Sequence, residues 1–209
     1  MATKPTDGPN VPLIQRVKNI LMTPKTEWPA IDSEPSTIGG IYRNYVMILA
    51  AIGPVCMLIG LLVFGMPYFT FPMGYLIGQA VLTYVMALIG CYVLALIIEA
   101  LAPSFGGTKD RVKAFKVAAY SSTAAWVVGV VYLVPMLAIL GILGLYSLYL
   151  LYLGLPVLMK TPADKSLVYT IAIIVAAIVI YVVIGAITSR ILFAMMPGPT
   201  MTLPAGYPG

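Results

Sequence analysis

The sequence contains no histidine and only two cysteines among its 209 residues. Without histidine, a zinc site would have to consist of Cys56, Cys91 and carboxylates. Both cysteines lie within long apolar segments, where a free thiol usually serves as a small core residue. No serine or cysteine has a visible base beside it, and no pair of carboxylates occurs within the apolar segments. We therefore expect no metal, no cofactor and no catalytic residue, and we do not expect an enzyme.

Charge is also scarce. Charged residues make up 9% of the chain and apolar residues 61%, whereas a soluble domain has about 25% charged residues. The charges are clustered, and the uncharged runs between the clusters contain 55, 43 and 24 residues, at 44–98, 117–159 and 166–189. A membrane-spanning helix needs about 20 apolar residues, so the runs accommodate two, two and one crossings. The pattern indicates a polytopic membrane protein.

The predicted fold is an all-α bundle of five transmembrane helices within a membrane domain at residues 43–196. The expected spans lie at about 44–65, 73–101, 112–134, 136–158 and 167–193. Eleven of the twelve cations fall in the amino-terminal arm and in the loops after the second and fourth spans. The positive-inside rule then predicts a cytoplasmic amino terminus and a carboxyl terminus outside. We expect a multi-pass protein of the cell (inner) membrane, with the first span as an uncleaved insertion signal.

Residues 1–42 are predicted to form a cytoplasmic arm whose first ten residues are disordered. Apolar residues recur at helical spacing over about 11–22, with basic and polar residues opposite them. This amphipathic helix either lies in the headgroup layer or packs on the cytoplasmic ends of the spans. Residues 24–40 hold three prolines and are predicted to form an extended connector, in which Trp28 anchors at the membrane interface. The tail at 197–209 is predicted to be disordered.

The cations beside the spans favour contact with anionic membrane lipids. A basic segment next to a bilayer gains roughly 1 kcal/mol per cation from such lipids. Nucleic acid is not an expected partner, because the chain has no basic stripe with interleaved aromatics on a soluble fold. The candidate surface for lipids or protein partners consists of Arg16, Lys18, Trp28, Lys109, Arg111, Lys113, Lys116, Lys160 and Lys165.

Five further residues form a candidate polar site within the membrane. Glu99 lies near the end of the second span, where it either serves a functional site or pairs with a loop cation. Tyr146, Tyr149 and Tyr152 recur every three residues, so this stripe is predicted to face other spans or a polar crevice, or to serve as a packing stripe with interfacial aromatics. Arg190 either reaches the outer headgroups, caps the last helix or forms an anion site.

Four sequence blocks carry a resemblance to a known family. They read RVKNILMTPKTEWPAI, EALAPSFGG, KAFKVAAYSSTAAW and GLYSLYLLYLGLPVLMKTPADKSLVYT, and they cover most of residues 16–170. The chain resembles the bacterial branch of the Ypt-interacting protein (Yip) family. The resemblance implies a five-helix bundle and a role in membrane organisation or trafficking, with homo-oligomers or membrane-protein partners. The arm is shorter than in eukaryotic relatives, which use theirs to contact Rab-type GTPases.

Two functions fit this sequence. The first is a non-catalytic membrane protein that organises lipid or recruits partners through a basic cytoplasmic face. The alternative is a transporter or channel for a small solute or lipid, which the tyrosine stripe and the helix-breaking Gly and Pro residues favour. The absence of charge near the membrane midplane and of a clear inverted repeat argues against transport.

Overall fold

The computed structural model describes residues 11–65 and 71–196, and all the regular elements in those ranges are helices. They are α1 (Leu13–Met22), α2 (Pro24–Ser33), α3 (Ile38–Phe64), α4 (Met73–Phe105), α5 (Arg111–Leu133), α6 (Pro135–Met159) and α7 (Ala163–Met195). Within the described ranges, the five helices α3 to α7 are long and apolar enough to cross a membrane, which confirms the predicted all-α fold with five spans. The predicted disorder of residues 1–10 and 197–209 lies outside the described residues.

The segment predicted as an extended connector is helical instead. Helix α2 begins at Pro24. Proline is tolerated at the first position of a helix because a backbone N–H there would have no hydrogen-bond partner within the helix. Helix α3 then begins at Ile38, and the Thr37 hydroxyl caps it by accepting a hydrogen bond from the Gly40 N–H at 3.1 Å. Pro24 therefore starts a helix, Pro29 lies within it and Pro35 lies between α2 and α3, so the prediction of an extended chain was wrong.

Helix α5 lies at the centre of the bundle. In the most apolar stretch of α5, 61% of the residues are buried, whereas the corresponding fraction in the other four spans is 11–28%. It packs on α3, α4 and α6, while α7 packs on α4 and α6. Its first half carries small residues such as Ala114, Ala118 and Ala119, which are fully buried and let the neighbouring helices approach.

Helices α3 and α5 touch through their backbones. A Cβ atom added to Gly129 would lie 2.8 Å from the Gly53 Cα, and one added to Gly60 would lie 2.6 Å from the Tyr132 carbonyl oxygen. Neither distance leaves room for a methyl group. Two points of contact, about two helical turns apart along α3, therefore fix how α3 crosses the distal half of α5.

We refer to residues 11–37 as the arm. The end of the bundle where the arm lies, together with the loops at 106–110 and 160–162, is the arm end, and the opposite end is the distal end. Helix α1 packs on the middle of α5, and α2 packs on α6. The amphipathic helix is thus packed on the spans, but beside the middle of α5 and not on the span ends that the sequence analysis considered.

Replacing Gly129 with alanine tests the contact between α3 and α5. The added methyl group meets backbone atoms that cannot move aside, and overpacking of this kind costs typically about 1–3 kcal/mol. We expect Gly129→Ala to lower the apparent melting temperature of the detergent-solubilised protein by several degrees. Gly185→Ala is the control, because nothing lies within 4 Å of its added Cβ. Equal melting temperatures for the two variants would contradict the close approach.

Candidate functional site at the arm end

Trp28 fixes the arm to the bundle by lying flat on a glycine of α6. The side chain is fully buried, and a Cβ atom added to Gly154 would lie 2.6–2.8 Å from three atoms of the indole ring. The missing side chain of Gly154 thus provides the space that the ring fills. The prediction that Trp28 anchors at the membrane interface was wrong, because this slot removes the ring from the surface of the protein.

Arg16 is the most unexpected residue of the arm, because it is completely buried. Its guanidinium forms ion pairs with Glu27 on α2 and with Glu34 just beyond α2, and it lies over the ring of Tyr120, with 5.8 Å to the ring centroid. Burial alone would lower the pKa of Arg16, but the hydrogen bond to Glu34 and the two negative charges raise it above its ordinary value. Arg16 is therefore a charged interior residue and not part of the predicted lipid surface.

Lys116 on α5 is a second cation that the structure places inside. Its side chain is buried, and its ammonium donates hydrogen bonds to the backbone carbonyls of Ile31 at 2.7 Å and Glu34 at 2.5 Å. The last carbonyls of a helix have no partner within the helix, so the end of α2 offers acceptors to this lysine. The assignment of Lys116 to an exposed surface was wrong for this reason.

Asp32 joins the arm to two further cations. One carboxylate oxygen lies 2.8 Å from the Lys113 Nζ of α5, and the other lies 2.6 Å from the Lys160 Nζ beyond α6. Burial tends to raise the pKa of Asp32, but the hydrogen bonds and charges of the two lysines outweigh this and hold it below its ordinary value. Lys113 and Lys160, both predicted surface residues, are thus partly exposed and engaged with the arm.

The two loops at the arm end are bonded to each other. Thr108 donates its backbone N–H and its hydroxyl to the carbonyl of Met159, at 2.7 and 3.2 Å. A Cβ atom added to Gly107 would lie 2.9 Å from the same carbonyl oxygen. This junction holds Lys109 and Lys165 on one end of the molecule.

Glu99 pairs with a loop cation, as one of the two sequence interpretations stated. Its carboxylate lies 2.8 Å from the Arg111 Nε. The Glu99 side chain is nearly buried, with 10% exposed, whereas the Arg111 side chain is 58% exposed. Arg111 therefore covers a carboxylate that lies just inside the surface of the arm end.

After these pairs are formed, several cations of the arm end still point outward. Lys18, Lys25, Lys109 and Lys165 are exposed and form no ion pair within the described ranges. Three of them belong to the predicted surface. Lys25 was missed, and its signal was its position on the outer side of α2, which the assumption of an extended connector concealed. The surface that we call the lysine face consists of these four residues.

The tyrosine stripe of α6 does not face other spans. Tyr146, Tyr149 and Tyr152 are 36%, 41% and 42% exposed, because α6 turns Leu150 and other leucines toward the core. The Tyr146 hydroxyl donates a 3.0 Å hydrogen bond to the carbonyl of Leu21 at the end of α1. Of the two sequence interpretations, the orientation toward other spans or a crevice was wrong: the three rings are surface aromatics, and Tyr146 contacts the arm.

Arg190 lies far from the other candidate residues. It is exposed near the distal end of α7 and forms no ion pair with any residue that the structure describes. The structure therefore does not bring it together with Glu99 or with the tyrosine stripe.

The comparisons with known proteins give one match. A family model described as Yip1 domain matches residues 18–185, a range that begins within α1 and ends within α7. No curated protein and no solved structure matches the chain significantly.

Removing the buried cation of the arm tests how the arm is held. In Arg16→Met, Glu27 and Glu34 remain inside without their cation, and breaking a buried pair in this way costs about 3–5 kcal/mol. We expect the arm to leave the bundle, which is seen as faster proteolysis of the arm and a red shift of Trp28 emission in a Trp126→Phe background. Lys18→Met is the control, because Lys18 is exposed and unpaired on the same helix. Equal protection of the arm in both variants would contradict the role of Arg16.

Asp32 makes the attachment of the arm dependent on pH. Because its folded-state pKa lies below its ordinary value of about 3.9, its ion pairs stabilise the fold above that pH and lose this effect as the pH falls through the lower folded-state value. The difference in melting temperature between wild type and Asp32→Asn should be constant from about pH 8 to about pH 5 and should shrink below about pH 4. A difference that already disappears near neutral pH would show that this carboxylate is not held in its charged form.

Proposed function

Since the chain belongs to the Yip1 domain family, we propose that it is a non-catalytic multi-pass membrane protein that binds anionic lipid headgroups through its lysine face. In this proposal the arm end faces the cytoplasm and the membrane is the cell (inner) membrane. The protein thereby gathers anionic lipid at the arm end, or it recruits a protein partner that has an acidic surface.

The observation that carries this proposal is the direction of the charges in the arm. The three acidic residues of the arm, Glu27, Asp32 and Glu34, all form ion pairs with cations that are buried or partly buried. Lys18 and Lys25 on the same arm point away from the bundle. The carboxylates of the arm are therefore all paired on the side that faces the bundle, and the outer side of the arm carries only positive charge.

The position of the lysine face supports lipid as the ligand. Lys18 and Lys25 lie on helices that pack on spans, and Lys109 and Lys165 lie at the ends of spans. Lys109 and Lys165 therefore lie close to the level at which the spans leave the hydrocarbon, and Lys18 and Lys25 are exposed on the outer side of the arm. Each cation within a Debye length of an anionic surface gains roughly 1 kcal/mol.

Neutralising the lysine face tests the proposed function. The variant carries Lys18→Gln, Lys25→Gln, Lys109→Gln and Lys165→Gln, and native mass spectrometry measures the anionic and zwitterionic lipids that remain on the purified protein. Four cations at roughly 1 kcal/mol each predict a loss of bound anionic lipid of at least about tenfold. The matched control replaces the same four lysines by arginine, which keeps the charge.

Both variants replace the same four side chains, and only the glutamine variant removes their charge. We expect the arginine variant to retain anionic lipid at the level of the wild type. Retention that is equal in the glutamine and arginine variants would exclude the lysine face as the lipid-binding surface.

A further inference from the structure

A cavity of about 350 Å³ lies between α4, α5 and α7, away from the lysine face. Its volume falls within the range of about 300–1,000 Å³ that is typical of small-molecule sites. The residues that the argument uses are Thr83 and Leu94 of α4, Trp126 of α5, and Ala177, Thr188 and Ser189 of α7. Its lining contains no charged side chain, so the charge of a bound ion or charged solute would have no counter-charge there.

The cavity opens sideways, toward the surroundings of α7. Tyr181 on its edge is 70% exposed, and Gly185 and Ser189 are exposed as well. All three helices that form the walls are long and apolar enough to span a membrane. The opening therefore meets hydrocarbon, and a molecule that is dissolved in the bilayer can enter without crossing water.

The polarity of the lining changes along the cavity. Thr83, Thr188 and Ser189 lie toward the distal end, whereas Leu94 and Ala177 lie toward the arm end. Within the described ranges, none of these three hydroxyls has a hydrogen-bond partner, although Ser122, also in the lining, donates its hydroxyl to the Ala118 carbonyl at 2.8 Å. A hydroxyl without a partner in a lipid environment carries a free-energy cost that a ligand oxygen removes.

We propose that this cavity binds one acyl chain of a neighbouring phospholipid, with the ester oxygens of that lipid at the three free hydroxyls. The apolar part of the cavity matches the chain, and the hydroxyl donors match the ester acceptors. The direction follows from the polarity: the headgroup lies at the distal end and the chain points toward the arm end. This site requires no anionic headgroup, so it is independent of the lysine face.

The two tryptophans of the chain allow a direct test. In Trp28→Phe, Trp126 in the lining is the remaining tryptophan. A zwitterionic phosphatidylcholine with brominated chains is titrated into the detergent-solubilised full chain, because bromine quenches tryptophan at short range. We expect quenching that saturates at about one lipid per chain, the stoichiometry of one site. Quenching that rises without saturation would overturn the proposal.

Filling the cavity provides the matched comparison. Nothing lies within 4 Å of a Cβ added to Gly185, so Gly185→Phe places a ring in the open space. We expect it to weaken the saturable quenching at least tenfold. Ala186→Phe is the control, since it adds the same ring to the next residue, which is exposed and absent from the lining. Equal quenching curves for both variants would overturn the proposal, and the titration of Trp28→Phe alone decides it if Gly185→Phe does not fold.

The hydroxyls are tested separately. Thr188→Val keeps the shape of the side chain and removes its donor, so we expect brominated lipid to bind several-fold more weakly while the stoichiometry is kept. An affinity unchanged from Trp28→Phe would place the ester elsewhere and overturn the assigned direction. The glutamine variant of the lysine face should bind this zwitterionic lipid normally, so a failure of the lysine face and a failure of this cavity are distinguishable.

Discussion

The arrangement of the whole arm end depends on the burial of one guanidinium. Arg16 is completely enclosed, and a buried charge costs several kcal/mol unless it is paired. Its two carboxylate partners are Glu27, which lies on α2, and Glu34, which lies just beyond the end of α2. Because α1 and α2 must fold back on each other to bring these groups together, the pairing determines the path of the arm.

The remaining contacts of the arm follow from that path. Once Glu34 is held by Arg16, its backbone carbonyl and that of Ile31 are positioned to accept from Lys116 of α5. The same turn of α2 places Trp28 on Gly154. The arm is thereby joined to two spans by hydrogen bonds and by packing, and its outer side is left with lysines that have no carboxylate to pair with.

The sequence was sufficient for the spans and insufficient for the arm. Five crossings follow from uncharged runs of 55, 43 and 24 residues, because burying an unpaired charge in hydrocarbon is costly. The apolar spacing of α1 places Arg16 on the polar side of the helix, which predicts an exposed side chain. Its burial was missed because its partners lie 11 and 18 residues away, and spacing within one helix cannot reveal them. Likewise, the spacing of Tyr146, Tyr149 and Tyr152 showed a shared face, but the core was determined by the leucines between them.

The central claim is that the arm is a fixed part of the bundle. Hydrogen–deuterium exchange of the full chain in lipid nanodiscs tests it most directly, because a packed helix protects its amides and a detached one does not. The account predicts that the amides of α1 and α2 exchange at rates comparable with those of the arm-end half of the central helix α5. Exchange of α1 and α2 at the rate of an unstructured chain, with α5 still protected, would contradict it.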